Sequence, residues 1–256
     1  MSDSNPIDKP LEFTCNICGR LNRKARSALG REAPSCDRCE SSVRMRAMVY
    51  LVTRHLHGAD VTLPDMKPTD QVGIGLSDWL GYSRPLAGKT RYQNTFYTRP
   101  PQLDITSPPA AQAGSLDFII SSDVFEHVVP PVDAAFRGAA QLLKPGGLLA
   151  FSVPHGLDGE TVEHFPELHD FRIEGQGAQR SLINRTVDGR TQTYKDLCFH
   201  GGEGATLEMR LFSLPSLKAL CLSAGLEEPQ TLAEVPAFGI VWLEPWSRVM
   251  AIYKSR

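Results

Sequence analysis

The 256-residue sequence predicts an α/β fold with a mostly parallel sheet, preceded by a small metal-binding module and carrying a β-hairpin insertion. Two observations predict this arrangement. Strand-like and helix-like segments alternate along most of the chain, which is the pattern of a parallel sheet. Two Cys-x2-Cys pairs lie close together near the N-terminus, in the pattern of a zinc site.

The composition is that of an ordinary globular protein, with 41% hydrophobic and 22% charged residues and a formal net charge of −2. A near-neutral chain has no general attraction to nucleic acid or to acidic membranes. No apolar run has the length of a transmembrane helix. The polar, proline-containing residues 1–10 predict a disordered start rather than a signal peptide. We therefore expect a cytoplasmic protein that does not bind membranes.

Cys15 and Cys18 form the first Cys-x2-Cys pair, and Cys36 and Cys39 form the second. Each pair can supply two thiolates from one tight turn, and four thiolates complete the tetrahedron that structural zinc prefers. The sequence thus predicts a zinc ribbon within residues 1–40, with a redox or disulfide role as the alternative. The remaining two cysteines, Cys198 and Cys221, lie in apolar surroundings and are expected to be buried thiols, with a catalytic thiol as the alternative.

Residues 41–69 are expected to dock the ribbon on the main domain and to link the two. Within them, Ser41–Leu56 has the apolar spacing of a helix, with serine at its start and Gly58 after its end. Lys and Arg slightly outnumber Asp and Glu around the ribbon. A solvated basic loop explains so small an excess, and nucleic-acid binding is not expected.

Short apolar segments alternate with helix-like segments farther along the chain. Gln71–Ile74, Asp117–Ile120 and Leu148–Val153 are predicted strands. Val132–Leu143 is a predicted helix, ended by Lys144-Pro145-Gly146-Gly147. A strand, a helix and a second strand in about 35 residues form a βαβ unit, which implies parallel strands.

Ser121–Val128 (SSDVFEHV), followed by residues 142–155 (LLKPGGLLAFSVPH), closely resembles the fourth- and fifth-strand region of class I methyltransferases that use S-adenosylmethionine. A looser resemblance includes the helix-like Phe212–Gly225 and the closing strand Ser247–Lys254. The resemblance implies a Rossmann-like sheet that binds the cofactor where the strand order reverses. The cysteine pairs and Phe199–Arg210 (FHGGEGATLEMR) resemble one branch of this family.

The resemblance implies that cofactor-binding residues lie in the family's glycine-rich first motif. Here that motif is Gly73-Ile-Gly75-Leu-Ser77-Asp78. Gly73 replaces the usual acid of the motif, and Ser77 replaces its second glycine. A structural alternative is that Gly75 serves only a tight turn.

Two further acids stand at places where the family binds its cofactor. Asp104 stands at the position of the adenine-contacting acid after the third strand, and Asp123 at the end of the fourth strand, near the transferred methyl group. The alternative for Asp104 is that it only caps the bend that follows. The family's ribose-binding acid is replaced by amide and hydroxyl groups, of which Asn94 or Thr95 could bind the ribose.

Residues 156–210 form an insertion within the main domain, which is expected to span residues 70–256. Connections this long are usually lids or binding elements. Ser181–Phe199 predicts a β-hairpin around a Val-Asp-Gly-Arg turn. The glycines of His200-Gly-Gly-Glu-Gly204 permit either a loop that closes over the cofactor or a purely structural bend.

Methyl transfer requires alignment of donor and acceptor, and a hydroxyl acceptor also requires a base. His155 ends the fifth strand and His200 lies in the glycine-rich segment, so these two are the expected catalytic residues. The alternative is that both only hydrogen-bond the backbone. The Glu163-His164 and His169-Asp170 pairs are spaced too irregularly to predict a second metal.

Two classes of function follow from these patterns. The first is S-adenosylmethionine-dependent methyl transfer to a small-molecule or saccharide-like acceptor, where the saccharide is implied by the resemblance alone. The second is a non-catalytic scaffold with a degenerate methyltransferase fold and a structural zinc. The altered first motif favours the scaffold, whereas the fourth-strand segment and the insertion favour the enzyme.

Overall fold

The computed structural model describes residues 10–200 and 206–256. The predicted disordered start, up to residue 9, and the glycine-rich segment 201–205 lie outside the described residues. Within the described ranges, every helix is too short or too polar to span a bilayer.

The N-terminal module comprises residues 10–41. Strands β1 (Pro10–Thr14) and β2 (Leu21–Ala25) pair antiparallel. The turn between them carries the first cysteine pair, and the amide of Gly19 donates a 2.8 Å hydrogen bond to the carbonyl of Cys15. Gly19 has a φ of 75°, a conformation that glycine adopts without strain.

Helix α1 (Val43–His57) follows the module and matches the helix expected from the sequence to within two residues. Its cap residue is Ser42, whose hydroxyl accepts a hydrogen bond from the amide of Met45. The helix ends at Gly58, which has a φ of 67°. Ser42 therefore caps the start of the helix with its side chain, and Gly58 ends the helix through its left-handed backbone, with its amide donating to the carbonyl of Arg54.

The main domain begins with strands and helices in alternation. In chain order these are β3 (Val72–Leu76), α2 (Leu80–Ala87), β4 (Arg91–Thr95), β5 (Leu116–Ser122), α3 (Asp133–Leu142) and β6 (Leu143–Ser152). Strand β3 pairs parallel with both β4 and β5, and β5 pairs parallel with β6. The predicted parallel sheet is confirmed.

Short strands follow β6 in the region that the sequence predicts as an insertion. It contains β7 (His155–Gly156), β8 (Val162–Glu163), β9 (Asp170–Glu174), β10 (Ser181–Arg185), β11 (Thr191–Tyr194), β12 (Phe199–His200) and β13 (Thr206–Leu207). Strands β9, β10 and β11 form an antiparallel sheet with β10 at its centre. Phe165, Leu182, Leu207 and Met209 form a small separate core for this region.

The chain then returns to the central sheet through β14 (Arg210–Ser213), α4 (Leu214–Ser223), β15 (Gln230–Thr231) and β16 (Met250–Tyr253). Strand β16 pairs antiparallel with β6, which gives the order β15-β16-β6-β5-β3-β4. The chain runs outward from β3 to β4 and crosses back to β5 on the other side of β3. The topological switch point therefore lies between β3 and β5.

Two segments differ from the sequence-based expectation. Lys144–Gly147, expected to separate a helix from a strand, forms the first part of β6, next to a shift in its register with β5. No strand was found before Asp104 in the described residues 96–115, where a single parallel bridge joins Phe96 to Gln102. Prolines on this stretch lack the amide that a longer strand would need.

Helices cover the sheet on both faces. On one face, α1, α2 and the N-terminal module share a single core in which Phe13 and Ile17 belong to the same cluster as Phe118 and Leu148 of the sheet. On the other face, α3 and α4 pack in a second core that includes Phe136. The module is thus continuous with the core of the main domain.

A buried arginine links the module to the C-terminal part of the chain. Arg46 of α1 is fully buried and donates hydrogen bonds to the carbonyls of Ser41 (2.7 Å) and Gly239 (2.9 Å) and to the Ser35 hydroxyl (3.0 Å). The Ser41 hydroxyl lies 3.4 Å from the sulfur of Cys15. Burying an unpaired cation is costly, so this arrangement favours negative charge on the nearby cysteines.

A buried carboxylate lies behind the end of β3. The Asp78 carboxylate accepts a 2.5 Å hydrogen bond from the Tyr92 hydroxyl, and burial raises the pKa of Asp78 to about 7. A Cβ on Gly75 would lie 1.9 Å from that hydroxyl, and a Cβ on Gly73 would lie 2.2 Å from the ring of Phe118. Close packing therefore requires glycine at both positions.

Asp78→Asn is expected to change the pH dependence of stability. Between an unfolded-state pKa of about 4 and the folded-state pKa of about 7, the folded protein keeps a proton that the unfolded chain has lost. Stability therefore falls as the pH rises through this range. The amide side chain of the variant cannot ionise. Over this pH range, its free energy of unfolding should therefore fall by up to about 4 kcal/mol less than that of the wild type. Urea denaturation at several pH values between 4 and 8 measures the difference.

Asp158→Asn is the matched control, because Asp158 is exposed. It should show the wild-type decline. The same decline in Asp78→Asn as in the wild type would contradict the raised pKa of Asp78.

Candidate functional site

A cavity of about 1110 Å³ opens at the carboxyl ends of the parallel strands. Leu76 and Ser77 line it from the end of β3, Thr95 from β4, and Ser122 and Asp123 from β5. Ligands of open parallel sheets bind at this edge, beside the switch point. Pockets for single small ligands measure about 300–1,000 Å³, so this cavity has room for a cofactor and a small acceptor together.

Two residues at this edge have a left-handed backbone. Ser77 has a φ of 62° and Asp123 a φ of 53°. Such conformations in non-glycine residues cost on the order of 1–3 kcal/mol and concentrate at functional sites. Ser77 stands where the resembled motif has glycine, so the turn keeps a conformation that favours glycine although the residue has changed.

Asp123 is held by two arginines. Arg31 of the N-terminal module donates to both of its carboxylate oxygens, at 2.7 and 3.0 Å, and Arg44 of α1 lies 3.2 Å away. The Ser152 hydroxyl donates a further hydrogen bond of 2.7 Å. Burial opposes ionisation of Asp123, but the guanidinium groups outweigh it and lower its pKa to about 2. Asp123 is therefore ionised at neutral pH.

Both arginines also line the cavity, and the sequence analysis did not identify either of them. The Arg31 side chain donates a 2.6 Å hydrogen bond to the carbonyl of Ser247, and Arg44 pairs with Glu32 at 2.6 Å. The basic excess around the cysteines was the available signal. The sequence alone predicts a solvated loop here, because only the fold shows that the module reaches the sheet edge.

The predicted cofactor-binding residues separate into two groups. Those that line the cavity are Ser77, Asp104 and Asp123. Those absent from its lining are Gly73, Gly75 and Asp78. Gly73 allows the close approach of the Phe118 ring, and Gly75 that of the Tyr92 hydroxyl, behind the turn. Asp78 lines a smaller adjoining cavity of about 220 Å³.

Asp104 both caps a turn and faces the cavity. One of its oxygens accepts hydrogen bonds from the amide (2.9 Å) and the hydroxyl (2.7 Å) of Thr106. Asn94, a candidate for the ribose, instead bonds the backbone of Asp78 at 2.8 Å through both its amide oxygen and its amide nitrogen. Thr95, the other candidate, lines the cavity.

The two predicted catalytic histidines lie in different environments. His155 is 1% exposed and lies outside the cavity lining, with Nδ1 3.2 Å from the carbonyl of Gly156. Burial lowers the pKa of His155. His200 lines the cavity beside His127, with 5.4 Å between ring centroids, and its Nε2 lies 3.1 Å from Glu208.

The expectation that both remaining cysteines are buried is wrong for one of them. Cys221 is buried in α4, but Cys198 is exposed, with its sulfur 3.3 Å from Nε2 of His200. Cys198 directly precedes β12, which pairs with a single strand and leaves this side chain uncovered.

The four N-terminal cysteines form a cluster whose sulfurs lie within 4.8 Å of one another, and all four are free thiols. The sulfurs of Cys15 and Cys39 are 3.6 Å apart, as are those of Cys18 and Cys36. A tetrahedral zinc with Zn–S bonds of about 2.3 Å separates its sulfurs by about 3.8 Å. The cluster therefore has the donor set and the dimensions of a metal site.

Several solved structures are similar to this chain. 1,6-Didemethyltoxoflavin-N1-methyltransferase from Burkholderia thailandensis is 14% identical, with a TM-score of 0.45, and the match covers 82% of this chain and 79% of that one. An S-adenosylmethionine-dependent methyltransferase from Clostridium acetobutylicum is 9% identical, with a TM-score of 0.49 and coverages of 85% and 94%. An amino pentose methyltransferase from Micromonospora echinaspora is 14% identical, with a TM-score of 0.44 and coverages of 84% and 92%.

Comparison with curated protein sequences gives no significant match. A family profile described as a methyltransferase domain, however, matches residues 45–228, from the start of α1 to beyond α4. This match includes β3 to β6, the switch point and the insertion, and it extends over more than two thirds of the sequence. The chain therefore belongs to the methyltransferase domain family.

Proposed function

We propose that the protein binds S-adenosylmethionine in the large cavity and transfers its methyl group to a small-molecule or saccharide-like acceptor. The observation that carries this proposal is the position of the cavity at the switch point of a methyltransferase-family sheet. Ser77 and Asp123 flank this position with left-handed backbones. The size of the cavity supports the binding of two molecules side by side.

The lining residues suggest how the cofactor would be held. Asp104 would accept a hydrogen bond from the adenine amine, and Thr95 would bond the ribose in place of the missing acid. Ser77 and Asp123 would hold the methionine part at the ends of β3 and β5. Gly73, Gly75 and Asp78 would act through the shape of the turn rather than through contact, because they lie behind the lining.

S-Adenosylmethionine supplies a methyl group on a sulfonium that already leaves readily, so the chain has to align the acceptor and exclude water. Phe199 and Leu207 of the insertion and Val128 after β5 provide an apolar part of the wall. His200 is in the lining and His155 is not, so we place the activation of a hydroxyl acceptor on His200.

The scaffold hypothesis is the second candidate function. The side-chain amide of Asn94 hydrogen-bonds the backbone of Asp78 through both its oxygen and its nitrogen. The cavity lining has no acid at the end of β4 to bind the ribose. In addition, Arg31 and Arg44 neutralise Asp123 at the edge where the methyl group would lie. These features favour a protein that has kept the fold and lost cofactor binding.

Calorimetric titration with S-adenosylmethionine separates the two candidates. We expect binding by the wild type and a loss of about 1–3 kcal/mol in Asp104→Ala, because the adenine amine loses its acceptor. Thr106→Val is the matched control, since it removes a hydroxyl bond to Asp104 and keeps the carboxylate. Equal affinity in Asp104→Ala and wild type would refute the adenine assignment. No binding at millimolar cofactor would favour the scaffold.

We further propose that the four-cysteine cluster holds one structural zinc. Four thiolates around zinc carry two net negative charges, which the buried Arg46 would partly neutralise. All four ligands come from the protein, which leaves no position open for substrate. Since Arg31 extends from this module to Asp123, loss of the metal should also disturb the cavity.

Native mass spectrometry tests the zinc. Cys36→Ser should carry one zinc fewer than the wild type and should bind S-adenosylmethionine more weakly, because metal binding is coupled to folding of the module. Cys198→Ala is the control and should keep the wild-type zinc content, because this exposed thiol lies outside the cluster. A folded module without zinc in the wild type would contradict the assignment.

The role of His200 is tested by turnover. With acceptors screened by release of S-adenosylhomocysteine, His200→Gln should lower kcat by roughly a hundredfold or more and leave cofactor affinity unchanged. His169→Gln, at an exposed histidine, should match the wild type. A comparable loss in His155→Gln, with His200→Gln at the wild-type rate, would place the activating group behind the cavity wall and contradict this assignment.

A further inference from the structure

A second set of potential metal ligands lies at the wall of the cavity. Glu126, His127 and His200 each place one ligand atom within 4.8 Å of the other two. The first two belong to the short helical turn after β5, and His200 belongs to β12 in the insertion. Two imidazoles and one carboxylate form a ligand set that binds divalent transition metals and leaves coordination positions open.

The His127 ring is oriented as in a metal ligand. Its Nδ1 lies 2.9 Å from the carbonyl of Leu207, to which it donates in the neutral ring. Its Nε2 is then unprotonated and lies 3.7 Å from a carboxylate oxygen of Glu126. Histidines that bind metals usually donate their other N–H to a carbonyl or a carboxylate, which fixes the tautomer and the ring.

His200 has an equivalent partner on a different element. Its Nε2 lies 3.1 Å from one oxygen of Glu208, and the other oxygen of Glu208 lies 2.8 Å from Nε2 of His164. This carboxylate therefore orients the imidazole of His200 and is itself fixed by a second histidine. Both histidines of the set thus have the outer partners that metal sites require.

Glu126 provides the strongest evidence for a cation at this site. Its side chain is fully buried, and neither carboxylate oxygen has a hydrogen-bond partner among the described residues. A buried carboxyl group without partners costs several kcal/mol. A cation bound between this carboxylate and the two imidazoles would remove that cost.

We propose that Glu126, His127 and His200 bind a divalent transition-metal ion, separate from the four-cysteine site. Because His127 and His200 line the cavity, the open positions of the ion would face the acceptor. A neighbouring set, Cys198 with Glu208 and His200, shares one ligand. Glu208 already pairs with both His164 and His200, and neither Cys198 nor Glu208 lines the cavity, so the first set is the better site.

The part of this ion in catalysis rests on the proposed function, whereas the site itself does not. An acceptor hydroxyl bound to the ion would have a lowered pKa and would lose its proton to water. Methyl transfer then forms the O–CH3 bond, breaks the S–CH3 bond and releases S-adenosylhomocysteine. In this case His200 positions the ion that activates the acceptor, and does not itself accept the proton.

Titration of the zinc-loaded, full-length protein with Co²⁺, without cofactor or acceptor, tests the site. We expect one equivalent to bind, with the weak visible absorption of cobalt held by nitrogen and oxygen and without a thiolate charge-transfer band. His127→Ala and His200→Ala should weaken Co²⁺ binding at least tenfold. Glu126→Gln, which keeps the size of the buried side chain, should do the same. His169→Ala should bind Co²⁺ as the wild type does.

Three results would overturn the proposal: no Co²⁺ binding at millimolar concentration, unchanged binding in His127→Ala and Glu126→Gln, or a thiolate band that Cys198→Ala removes. Thermal unfolding checks that each variant is folded, and Glu126→Gln keeps the test valid if a histidine variant unfolds. The Co²⁺ titration contains no cofactor. Binding of Co²⁺ would therefore support the metal site even if the protein does not bind S-adenosylmethionine. If the protein transfers methyl groups but does not bind Co²⁺, the proposed metal site is wrong and the proposed methyl transfer stands.

Discussion

Asp123 forms ion pairs with Arg31 of the N-terminal module and Arg44 of α1. These ion pairs join the module, α1 and the end of β5. The three side chains are less than one fifth exposed, so solvent screens their interaction less than it screens surface ion pairs. Arg31 bonds both oxygens of the carboxylate, which fixes direction as well as distance. This part of the cavity wall therefore depends on where the module places Arg31.

This dependence gives the cysteine cluster a consequence beyond local folding. The module shares a hydrophobic core with the sheet, and Arg31 extends from the module to the sheet edge that carries the cavity. Under our proposal, zinc in the cysteine cluster would hold the module in place. Arg46 adds a second link, because it reaches Ser41 beside the cluster and the carbonyl of Gly239 in the C-terminal part of the chain. Under our proposal, a metal that makes no contact with substrate still shapes the site that binds it.

The sequence predicted those features that local patterns encode. The βαβ unit follows from apolar segments and a helix that are neighbours in the chain, and the cysteine cluster follows from the spacing of its two pairs. The partners of Asp123 could not be predicted, because Arg31 lies 92 residues away and meets it only through tertiary packing. For the same reason, the sequence does not predict the contact between the rings of His127 and His200. At Gly75 the local motif was ambiguous, since close packing on Tyr92 requires glycine whether or not a cofactor lies nearby.

We propose above all that the cavity at the ends of β3 and β5 binds the cofactor. A crystal structure of the full chain grown with S-adenosylhomocysteine tests it most directly. We predict density for the cofactor in this cavity, with adenine at Asp104 and the sulfur near Asp123. A cofactor bound elsewhere, or an empty cavity at saturating ligand with Arg31 still on Asp123, would contradict the account.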